Sequence, residues 1–311
     1  MTDFTSKEIW EVLSLAKKLK NRLQESGKNS PVLENKTLVS IFAKPSLRTR
    51  LSFEIGMHQL GGHVVSFDGH EVGLDTREST ADVGKVISRM ADVLMVRTCD
   101  HQILEELSQC ASIPVINGLS DVEHPCQILA DLLTIWEIKG KLAGLTIGYI
   151  GDAENNVTNS LYLGAALLGM NFNYAAPKGY YINEEIFKKG IQLAKKSGAK
   201  IVETNDPKAA VKDVDVVITD TWVSMGDKVK KRLEDLRPYQ VNESLMKLAK
   251  KNAIFMHCLP AQRGNEVTSD VIDGPQSVVF QEAENRLHVQ KALLIYLCLM
   301  LYTLKTCRIK L

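Results

Sequence analysis

The sequence Thr37-Leu38-Val39-Ser40-Ile41-Phe42 is a mostly apolar run, and the motif Ser46-Leu47-Arg48-Thr49-Arg50 follows it closely. The run predicts a buried strand, and the apolar spacing from Leu51 to Leu60 predicts a helix after the motif. Backbone N–H groups at a helix N-terminus point outward, and the helix dipole favours negative charge there. Arg48 and Arg50 add forked, charge-assisted hydrogen bonds that suit phosphate oxygens. The motif therefore predicts a phosphate site, although an exposed basic helix start has the same local pattern.

The bulk composition limits the classes of protein. The chain has 311 residues and a net charge of +1, which suits two domains and gives no indication of a nucleic-acid or membrane-surface protein. The first ten residues lack the basic-then-apolar pattern of a signal peptide. The longest apolar run, Ala292–Leu304, is shorter than the roughly 20 residues that a bilayer requires. These features predict a cytoplasmic protein with reduced thiols. The six cysteines form no C-x-x-C motif, so no metal site is predicted.

Strand-like and helical segments alternate along the whole chain. This alternation predicts an α/β protein with two doubly wound parallel-sheet domains, each sheet covered by helices on both faces. The helix that begins near Pro125 ends at Gly140, which is the predicted junction between residues 1–140 and residues 141–285. The polar, glycine-containing segment Asp68–Thr80 predicts a mobile loop. The predicted strands are Thr37–Phe42, His63–Phe67, Asp92–Val96, Ile113–Asn117, Leu145–Ile150, Asn171–Ala175, Lys200–Glu203, Val214–Thr219, Ala253–Met256 and Ser277–Phe280.

Polar or reactive residues follow most of these strands. Open parallel sheets bind ligands outside the carboxyl ends of their strands. Two such domains facing each other would therefore bring these residues to one cleft, where we expect the active site. The residues concerned are Arg48, Arg97, His124, Asn156, Asp220, Cys258 and Glu282.

Three residues of the first half can extend the phosphate site. His124 and Gln127 are three residues apart and share one helix face. Together with Arg97 they offer hydrogen-bond donors for a second group beside a bound phosphate, such as a carbonyl. Alone, the pair equally suits helix capping, and a single arginine after a strand is most often a surface residue.

The second half of the chain offers an acid, an amide, a hydroxyl and a thiol in place of the cationic donors of the first half. Asp220, Asn156 and the hydroxyl of Ser224 together suit the ammonium and carboxylate groups of an amino acid, although acids and amides are also common in caps and turns. Cys258 precedes a Leu-Pro turn, where a backbone carbonyl can face outward, but buried cysteines are mostly inert. The turn Gly151–Asn156 lacks G-x-G-x-x-G, which disfavours a nicotinamide cofactor.

As a set, these motifs resemble the aspartate/ornithine carbamoyltransferase family, and its ornithine branch in particular. The matching motifs occur in order from Phe42 to Leu293, which is nearly the whole chain. The resemblance implies a homotrimer or a multiple of trimers, two domains joined by interdomain helices, and a C-terminal helix, 286–311, that packs back on the first domain. The motifs are Ser46–Arg50, Arg97, His124-Pro125-Cys126-Gln127, Asp220 with Ser224-Met225-Gly226, His257-Cys258-Leu259-Pro260-Ala261 and Glu284-Asn285-Arg286.

The resemblance implies that residues 1–140 bind carbamoyl phosphate. The turn formed by Ser46, Leu47, Arg48, Thr49 and Arg50 would hold its phosphate through side chains and backbone N–H groups, with Arg286 reaching the same ligand. Thr49, Arg97 and His124 would polarise the carbamoyl oxygen. Gln127 and the backbone carbonyl of Leu259 would hold the carbamoyl nitrogen, with Cys258 also against this ligand.

The resemblance also implies that residues 141–285 bind L-ornithine through Asn156, Asp220, Ser224 and Met225. Cys258 would lie beside the side-chain amine, so the catalytic group would be Arg97, His124, Asp220 and Cys258. The amine would attack the carbonyl carbon directly to give L-citrulline and phosphate, as in arginine biosynthesis, without a cofactor or a metal. An alkyl ammonium has a pKa near 10 and must first lose a proton. We expect Asp220 and Cys258 to favour its neutral form.

Two positions depart from the family pattern. Leu47 stands where many ornithine enzymes have Thr, which matters little if the backbone N–H binds the phosphate. Gly73 stands where the family usually has a Gln that reaches a neighbouring subunit, which leaves that contact open. The motif at His257–Pro260 argues against the aspartate branch. Carbamoyltransferases for acetylornithine, succinylornithine or putrescine, and a non-catalytic paralogue that binds phosphorylated metabolites, remain the alternatives.

Overall fold

The computed structural model describes residues 1–74, 76–223 and 229–300. These residues form two compact units. The first consists of residues 1–133 with 284–300, and the second consists of residues 134–283. Both divisions fall inside helices, Pro125–Lys139 and Val279–Ile295, whereas the sequence pattern predicts junctions at residues 140 and 285.

The first unit contains a four-stranded parallel sheet with the strand order β2-β1-β3-β4. Its strands are almost entirely buried except for β2, which is an edge strand. Side chains of β1, β3, α4 and α5 form one apolar core. The elements are α1 (Ser6–Ser26), β1 (Thr37–Phe42), α2 (Leu47–Gln59), β2 (His63–Asp68), α3 (Gly69–Val72), α4 (Thr80–Ile87), β3 (Val93–Arg97), α5 (His101–Cys110), β4 (Val115–Leu119) and α6 (Pro125–Lys139).

The second unit contains a five-stranded parallel sheet with the strand order β7-β6-β5-β8-β9. Its elements are β5 (Thr146–Ile150), α7 (Asn156–Leu167), β6 (Asn171–Ala175), α8 (Glu184–Ser197), β7 (Ile201–Thr204), α9 (Pro207–Val211), β8 (Val216–Ile218), α10 (Val229–Leu236), a 3-10 turn (Arg237–Tyr239), α11 (Glu243–Met246), β9 (Ile254–Met256) and α12 (Ser269–Ile272). The helix α13 (Val279–Ile295) begins in the second unit, belongs to the first unit from residue 284 onward, and is followed by a π-helical turn (Tyr296–Met300). All strand pairings in both sheets are parallel, which confirms the predicted α/β class.

Local sequence signals explain where the helices begin and end. Thr5 and Glu8 form a reciprocal capping box at the start of α1, and Gly27 ends that helix with φ 69°. Ser46 caps α2, so the helix begins at Leu47 rather than at Leu51 as the periodicity predicted. The arginines of the opening motif therefore lie in the first helical turn, where N–H groups are exposed.

Two sequence predictions are wrong in detail. Ser277–Phe280 is not a strand: Ser277 forms one isolated bridge with Phe255, and α13 already begins at Val279. Strand propensity of this short run yields to the long helix that follows it. The segment Asp68–Thr80 is not a plain loop, because Asp68 and Glu71 form a capping box that supports the helical turn α3.

The predicted C-terminal helix 286–311 is helical over its described part, as α13 and the turn to Met300. Residues 301–311, and with them Cys307, lie outside the described residues. Among the helices that the structure describes, none combines the length and apolar character needed to cross a bilayer.

Candidate active site

Each sheet has one point at which the strand order reverses, and these points locate the candidate binding groups. In the first sheet the reversal lies between β1 and β3, and in the second it lies between β5 and β8. Ligands of open α/β sheets bind at such points, outside the carboxyl ends of the strands. The motif Ser46–Arg50 follows β1 and Arg97 ends β3, while Asn156 follows β5 and Asp220 follows β8.

The start of α2 contains the motif for which the sequence predicts an anion site. The hydroxyl of Ser46 accepts a hydrogen bond from the Thr49 N–H at 3.3 Å. Leu47 is 70% exposed, so its side chain adds nothing to the core, and its backbone N–H lies in the first helical turn. Arg97 lies level with Phe42 on the neighbouring strand, and its carbonyl accepts from the Ala43 N–H at 2.8 Å. This bond fixes the segment that leads into α2 beside Arg97.

Arg286 joins three elements of the first unit. It is almost fully buried on α13, and its guanidinium donates to Thr49 Oγ1 and to Gln127 Oε1, both at 2.7 Å. Gln127 in turn donates from Nε2 to Asp131 Oδ1 at 2.9 Å. Thr49, Gln127 and Arg286 were predicted to share one ligand, and the structure brings them into direct contact. Asp131 was not predicted.

His124 immediately precedes α6 and is buried beside three arginines. Burial, followed by the positive charges of Arg286, Arg97 and Arg48, holds the pKa of His124 well below its usual value of 6.5. The imidazole is therefore neutral at neutral pH and can donate or accept a hydrogen bond. The same electrostatic contacts show that Arg48, Arg97, His124 and Arg286 lie within one cationic group of the first unit.

Arg50 differs from Arg48, although both belong to the same motif. Its guanidinium pairs with Asp68 Oδ1 at 2.7 Å and lies 4.5 Å from the centre of the Phe42 ring. Arg50 is partly exposed, and this ion pair joins the start of α2 to the end of β2. The structure thus engages Arg50 with a carboxylate of its own unit.

In the second unit, Asp220 and Cys258 are in direct contact. Asp220 lies two residues after β8, and Cys258 lies two residues after the adjacent strand β9. The Cys258 thiol donates to Asp220 Oδ1 at 3.1 Å, and the Thr221 N–H donates to the same oxygen at 2.8 Å. Asp220 is buried, so this carboxylate is an acceptor shielded from solvent.

A buried network shapes the turn that contains Cys258 and Leu259. The Leu259 N–H donates to His257 Nδ1 at 2.9 Å, so the proton of a neutral imidazole lies on Nε2, which faces Glu266 Oε1 at 3.2 Å. Glu282, in the first turn of α13, accepts from the His257 backbone N–H at 3.0 Å. Leu259 adopts φ 57°, a left-handed conformation that costs a leucine roughly 1 to 2 kcal/mol. His257 and Glu266 hold this conformation, and sequence reasoning missed both roles.

A second buried pair in this unit was also missed. Asp152 follows β5 and forms an ion pair with Arg232 of α10. Arg232 Nε also donates to the Trp222 carbonyl at 2.7 Å, and its guanidinium lies 5.0 Å from the centre of the Tyr180 ring. Burial raises the pKa of Asp152 to about 6 despite this ion pair. No local motif marks the pair, because its members are 80 residues apart.

The remaining predicted ornithine residues are only partly described. Asn156 is the first residue of α7, directly after the cap residue Asn155, whose Oδ1 accepts from the Thr158 N–H at 2.8 Å. Asn156 therefore lies at the reversal point of the second sheet. Ser224 and Met225 lie outside the described residues.

Ligand atoms of Asp220, His257 and Cys258 lie within 4.8 Å of one another. A protein metal site needs three or four converging donors. Both nitrogens of His257 already bond to Leu259 and Glu266. Within the described residues this cluster therefore offers two donors, and the arrangement suits an amine better than a metal ion.

The two units thus have complementary chemistry: a cationic, donor-rich site in the first and a buried carboxylate with a thiol in the second. This combination defines an enzyme that transfers an electrophilic group from an anionic donor to an amine. Two family models match the chain. The carbamoyl-P binding domain of aspartate/ornithine carbamoyltransferase matches residues 1–137, and the Asp/Orn binding domain matches residues 143–297. The chain belongs to the aspartate/ornithine carbamoyltransferase family.

Individual relatives agree with the family models. The ornithine carbamoyltransferase of Anoxybacillus flavithermus is 50% identical over 96% of this chain and 95% of its own length. The structure of ornithine carbamoyltransferase from Pyrococcus furiosus is similar with a TM-score of 0.91 and 49% identity, over 94% of each chain. The anabolic ornithine carbamoyltransferase of Campylobacter jejuni gives a TM-score of 0.88 and 40% identity, over 95% of this chain and 96% of that one.

Proposed function

We propose that this enzyme transfers the carbamoyl group of carbamoyl phosphate to the side-chain amine of L-ornithine, giving L-citrulline and phosphate. The observation that carries this proposal is the contact of Arg286 with both Thr49 and Gln127, beside a neutral His124. That site combines fixed cations for a phosphate with neutral groups for an amide. The names of the relatives described above, ornithine carbamoyltransferases at 40% to 50% identity, support the same reaction.

The first unit binds carbamoyl phosphate. The N–H groups and side chains of Ser46, Leu47, Arg48, Thr49 and Arg50 hold the phosphate, and Arg286 assists them. Arg97, His124 and Thr49 donate to the carbamoyl oxygen, on which negative charge grows as the amine attacks. Fixed donors of this kind are each worth about 3 kcal/mol of transition-state stabilisation. The neutral imidazole of His124 keeps one ring N–H, with which it donates to this oxygen.

The second unit binds ornithine through Asn156, Asp220, Ser224 and Met225. The buried Asp220 carboxylate and the Cys258 thiol orient the side-chain amine. The ammonium group loses one proton to solvent, and the neutral nitrogen then bonds to the carbonyl carbon. The bond from that carbon to the phosphate oxygen breaks, and the departing phosphate takes up the second proton from the nitrogen. Cys258 and the Leu259 carbonyl face the carbamoyl group, and Gln127 accepts from its nitrogen. The catalytic group is therefore Arg97, His124, Asp220 and Cys258.

We further propose a cytoplasmic homo-oligomer, a trimer or a multiple of trimers, that acts in arginine biosynthesis. An exposed apolar stripe on α2 supports an assembly, because Leu47, Leu51 and Ile55 are four residues apart and 70%, 48% and 42% exposed. The name of the Campylobacter jejuni relative, which includes the word anabolic, supports the biosynthetic direction.

Citrulline formation from carbamoyl phosphate is the direct test of this function. We expect turnover with L-ornithine to exceed turnover with acetylornithine, succinylornithine and putrescine by at least about a hundredfold, because a site with buried polar groups rejects ligands that leave them unpaired. Preference for one of the other amines would reassign the second substrate. Phosphate binding without turnover of any amine would instead identify a non-catalytic paralogue.

A further inference from the structure

The side-chain amide of Gln127 is held from both sides. Gln127 lies on α6 and is fully buried. Its Nε2 donates to Asp131 Oδ1 at 2.9 Å, and its Oε1 accepts from Arg286 Nη1 at 2.7 Å. Asp131 lies one helical turn further along α6 and is also buried. A carboxylate and a guanidinium therefore clamp a single amide.

Chemistry fixes which way this amide points. A guanidinium has only donors, and an ionised carboxylate has only acceptors. Rotating the Gln127 amide by half a turn would place its NH2 against Arg286 and its oxygen against Asp131, which replaces two charge-assisted hydrogen bonds with two repulsions. The acceptor oxygen of Gln127 consequently faces Arg286, whose other terminal nitrogen donates to Thr49 of the proposed carbamoyl phosphate site.

We propose that Asp131 determines the specificity of this enzyme for an amide-bearing acyl phosphate by positioning Gln127. The inference rests on the proposed function and goes beyond it, because it assigns discrimination to a residue that touches no substrate. The carbamoyl NH2 is a donor and meets the fixed Gln127 oxygen. A methyl group in its place offers no donor, so the Gln127 oxygen, which can accept two hydrogen bonds, keeps only the one from Arg286, and the ligand loses a buried hydrogen bond.

A matched pair of stable ligands isolates this effect. Phosphonoacetamide carries the amide, and 2-oxopropylphosphonate replaces its NH2 with a methyl group while keeping the phosphonate and the carbonyl. We expect the wild-type protein to bind phosphonoacetamide more tightly by about tenfold or more, as expected for one additional buried hydrogen bond. In the Asp131→Asn variant the amide at position 131 can meet either orientation of Gln127, so that only Arg286 still opposes rotation. The preference should then fall by at least about threefold, while the affinity for 2-oxopropylphosphonate changes little.

Exchanging the amide and the carboxylate between positions 127 and 131 separates a loss of positioning from general structural damage. In Gln127→Glu alone, two carboxylates face each other across the bond to Asp131, and we expect the preference to be lost. In the double variant Gln127→Glu with Asp131→Asn, the amide introduced at position 131 can donate to one oxygen of the new carboxylate and leave the other facing Arg286. The acceptor is restored with the net charge unchanged, so the double variant should regain a preference within about threefold of the wild type.

Titration calorimetry of both ligands into the wild type and the three variants tests the proposed role of Asp131. Asp92→Asn serves as the matched control, because Asp92 lies in the same unit but bonds to Lys36 and Thr37 instead, and it should keep the wild-type preference. The proposal is overturned if Asp131→Asn keeps the preference, or if it weakens both ligands equally. If Asp131→Asn does not fold, a folded double variant without the preference overturns it as well.

The same titrations, taken together with the citrulline assay, distinguish this inference from the proposed function. A wild type that binds both phosphonates without preference contradicts the role of Asp131 even if it makes citrulline. A wild type that shows the preference but makes no citrulline contradicts the proposed function alone.

Discussion

The candidate site of the first unit is cationic, whereas that of the second unit is acidic. In the first unit the charges of Arg48, Arg97 and Arg286, which lie on three separate elements, act on a neutral imidazole. In the second unit Asp220 accepts hydrogen bonds from a thiol and from a backbone N–H. Asp152 of the same unit forms an ion pair with Arg232. The difference matches the two substrates of the proposed reaction: one site holds a leaving phosphate, and the other holds an amine that must give up a proton.

The largest effect should come from removing one cation of the first unit. Arg48→Ala should lower kcat/KM for carbamoyl phosphate by roughly a thousandfold, because it deletes a fixed donor to the leaving phosphate. Steady-state citrulline assays measure this effect. Arg50→Ala should lower it by less than about tenfold, since Arg50 is partly exposed and already pairs with Asp68.

The exposed Arg89 of the same unit provides the neutral control, and Arg89→Ala should leave both kcat and the melting temperature unchanged. An Arg48→Ala variant with near-normal turnover would contradict the assignment of the phosphate site to the start of α2.

The next largest effect should come from the acidic side of the comparison. Asp220→Asn should lower kcat by about a hundredfold, because the variant loses the carboxylate that orients the amine and favours its deprotonation. Its KM for ornithine should rise, while its affinity for phosphonoacetamide stays within about twofold of the wild type. Asp270→Asn, an exposed acid of the same unit, is the control that should retain full activity. Equal losses for both ligands in Asp220→Asn would argue against a division of labour between the units.

The hydrogen bonds of His257 and Glu266 that hold Leu259 should contribute to the free energy of unfolding. Glu266→Ala leaves the His257 Nε2–H and the Gln262 N–H without their buried acceptor. We therefore expect the free energy of unfolding to fall by about 2 to 3 kcal/mol. Denaturant titration measures the loss, and Glu266→Gln should recover most of it because its oxygen still accepts. An unchanged stability in Glu266→Ala would show that this network does not hold the turn.

A further effect concerns the way in which the stability of the second unit depends on pH. The pKa of Asp152 is about 6 in the folded protein, because burial outweighs the attraction of Arg232, and near 4 in an unfolded chain. The folded state thus binds more protons between those values, so the contribution of Asp152 to the free energy of unfolding falls as pH rises through that window, by up to about 3 kcal/mol. Denaturant titrations from pH 4 to 7 should show this fall in the wild type and not in Asp152→Asn. A stability difference between the two proteins that does not vary with pH would contradict the raised pKa.

The sequence predicts the residues of the cationic motif, but it does not predict the hydrogen bonds and ion pairs that hold the candidate sites in place. Ser46–Arg50 is a local motif after a buried strand, so its position and chemistry follow from the strand-to-helix order alone. The bond from Arg286 to Thr49 spans 237 positions, and no periodicity indicates it. The clamp from Asp131 and the pair of Asp152 with Arg232 were missed for related reasons, because ordinary helix and turn residues acquire these roles only through packing.

Secondary structure was likewise predictable where the local sequence pattern decides it. Parallel strands were predictable from apolar runs bounded by turn residues, and Asn171–Ala175 is found with the predicted bounds. Ser277–Phe280 has the composition of a strand, but the residues after it continue a long helix that crosses the division of the chain after residue 283, and α13 begins at Val279. Short apolar segments therefore fail where a long neighbouring element extends through them.

The central claim is that the first unit binds the phosphorylated donor independently of the acidic group in the second. Calorimetric titration of phosphonoacetamide into Arg48→Ala and Asp220→Asn, side by side with the wild type, tests it most directly. We predict that Arg48→Ala weakens binding by at least about tenfold, while Asp220→Asn changes it by less than about twofold. Weakening by Asp220→Asn with intact binding in Arg48→Ala would contradict the claim.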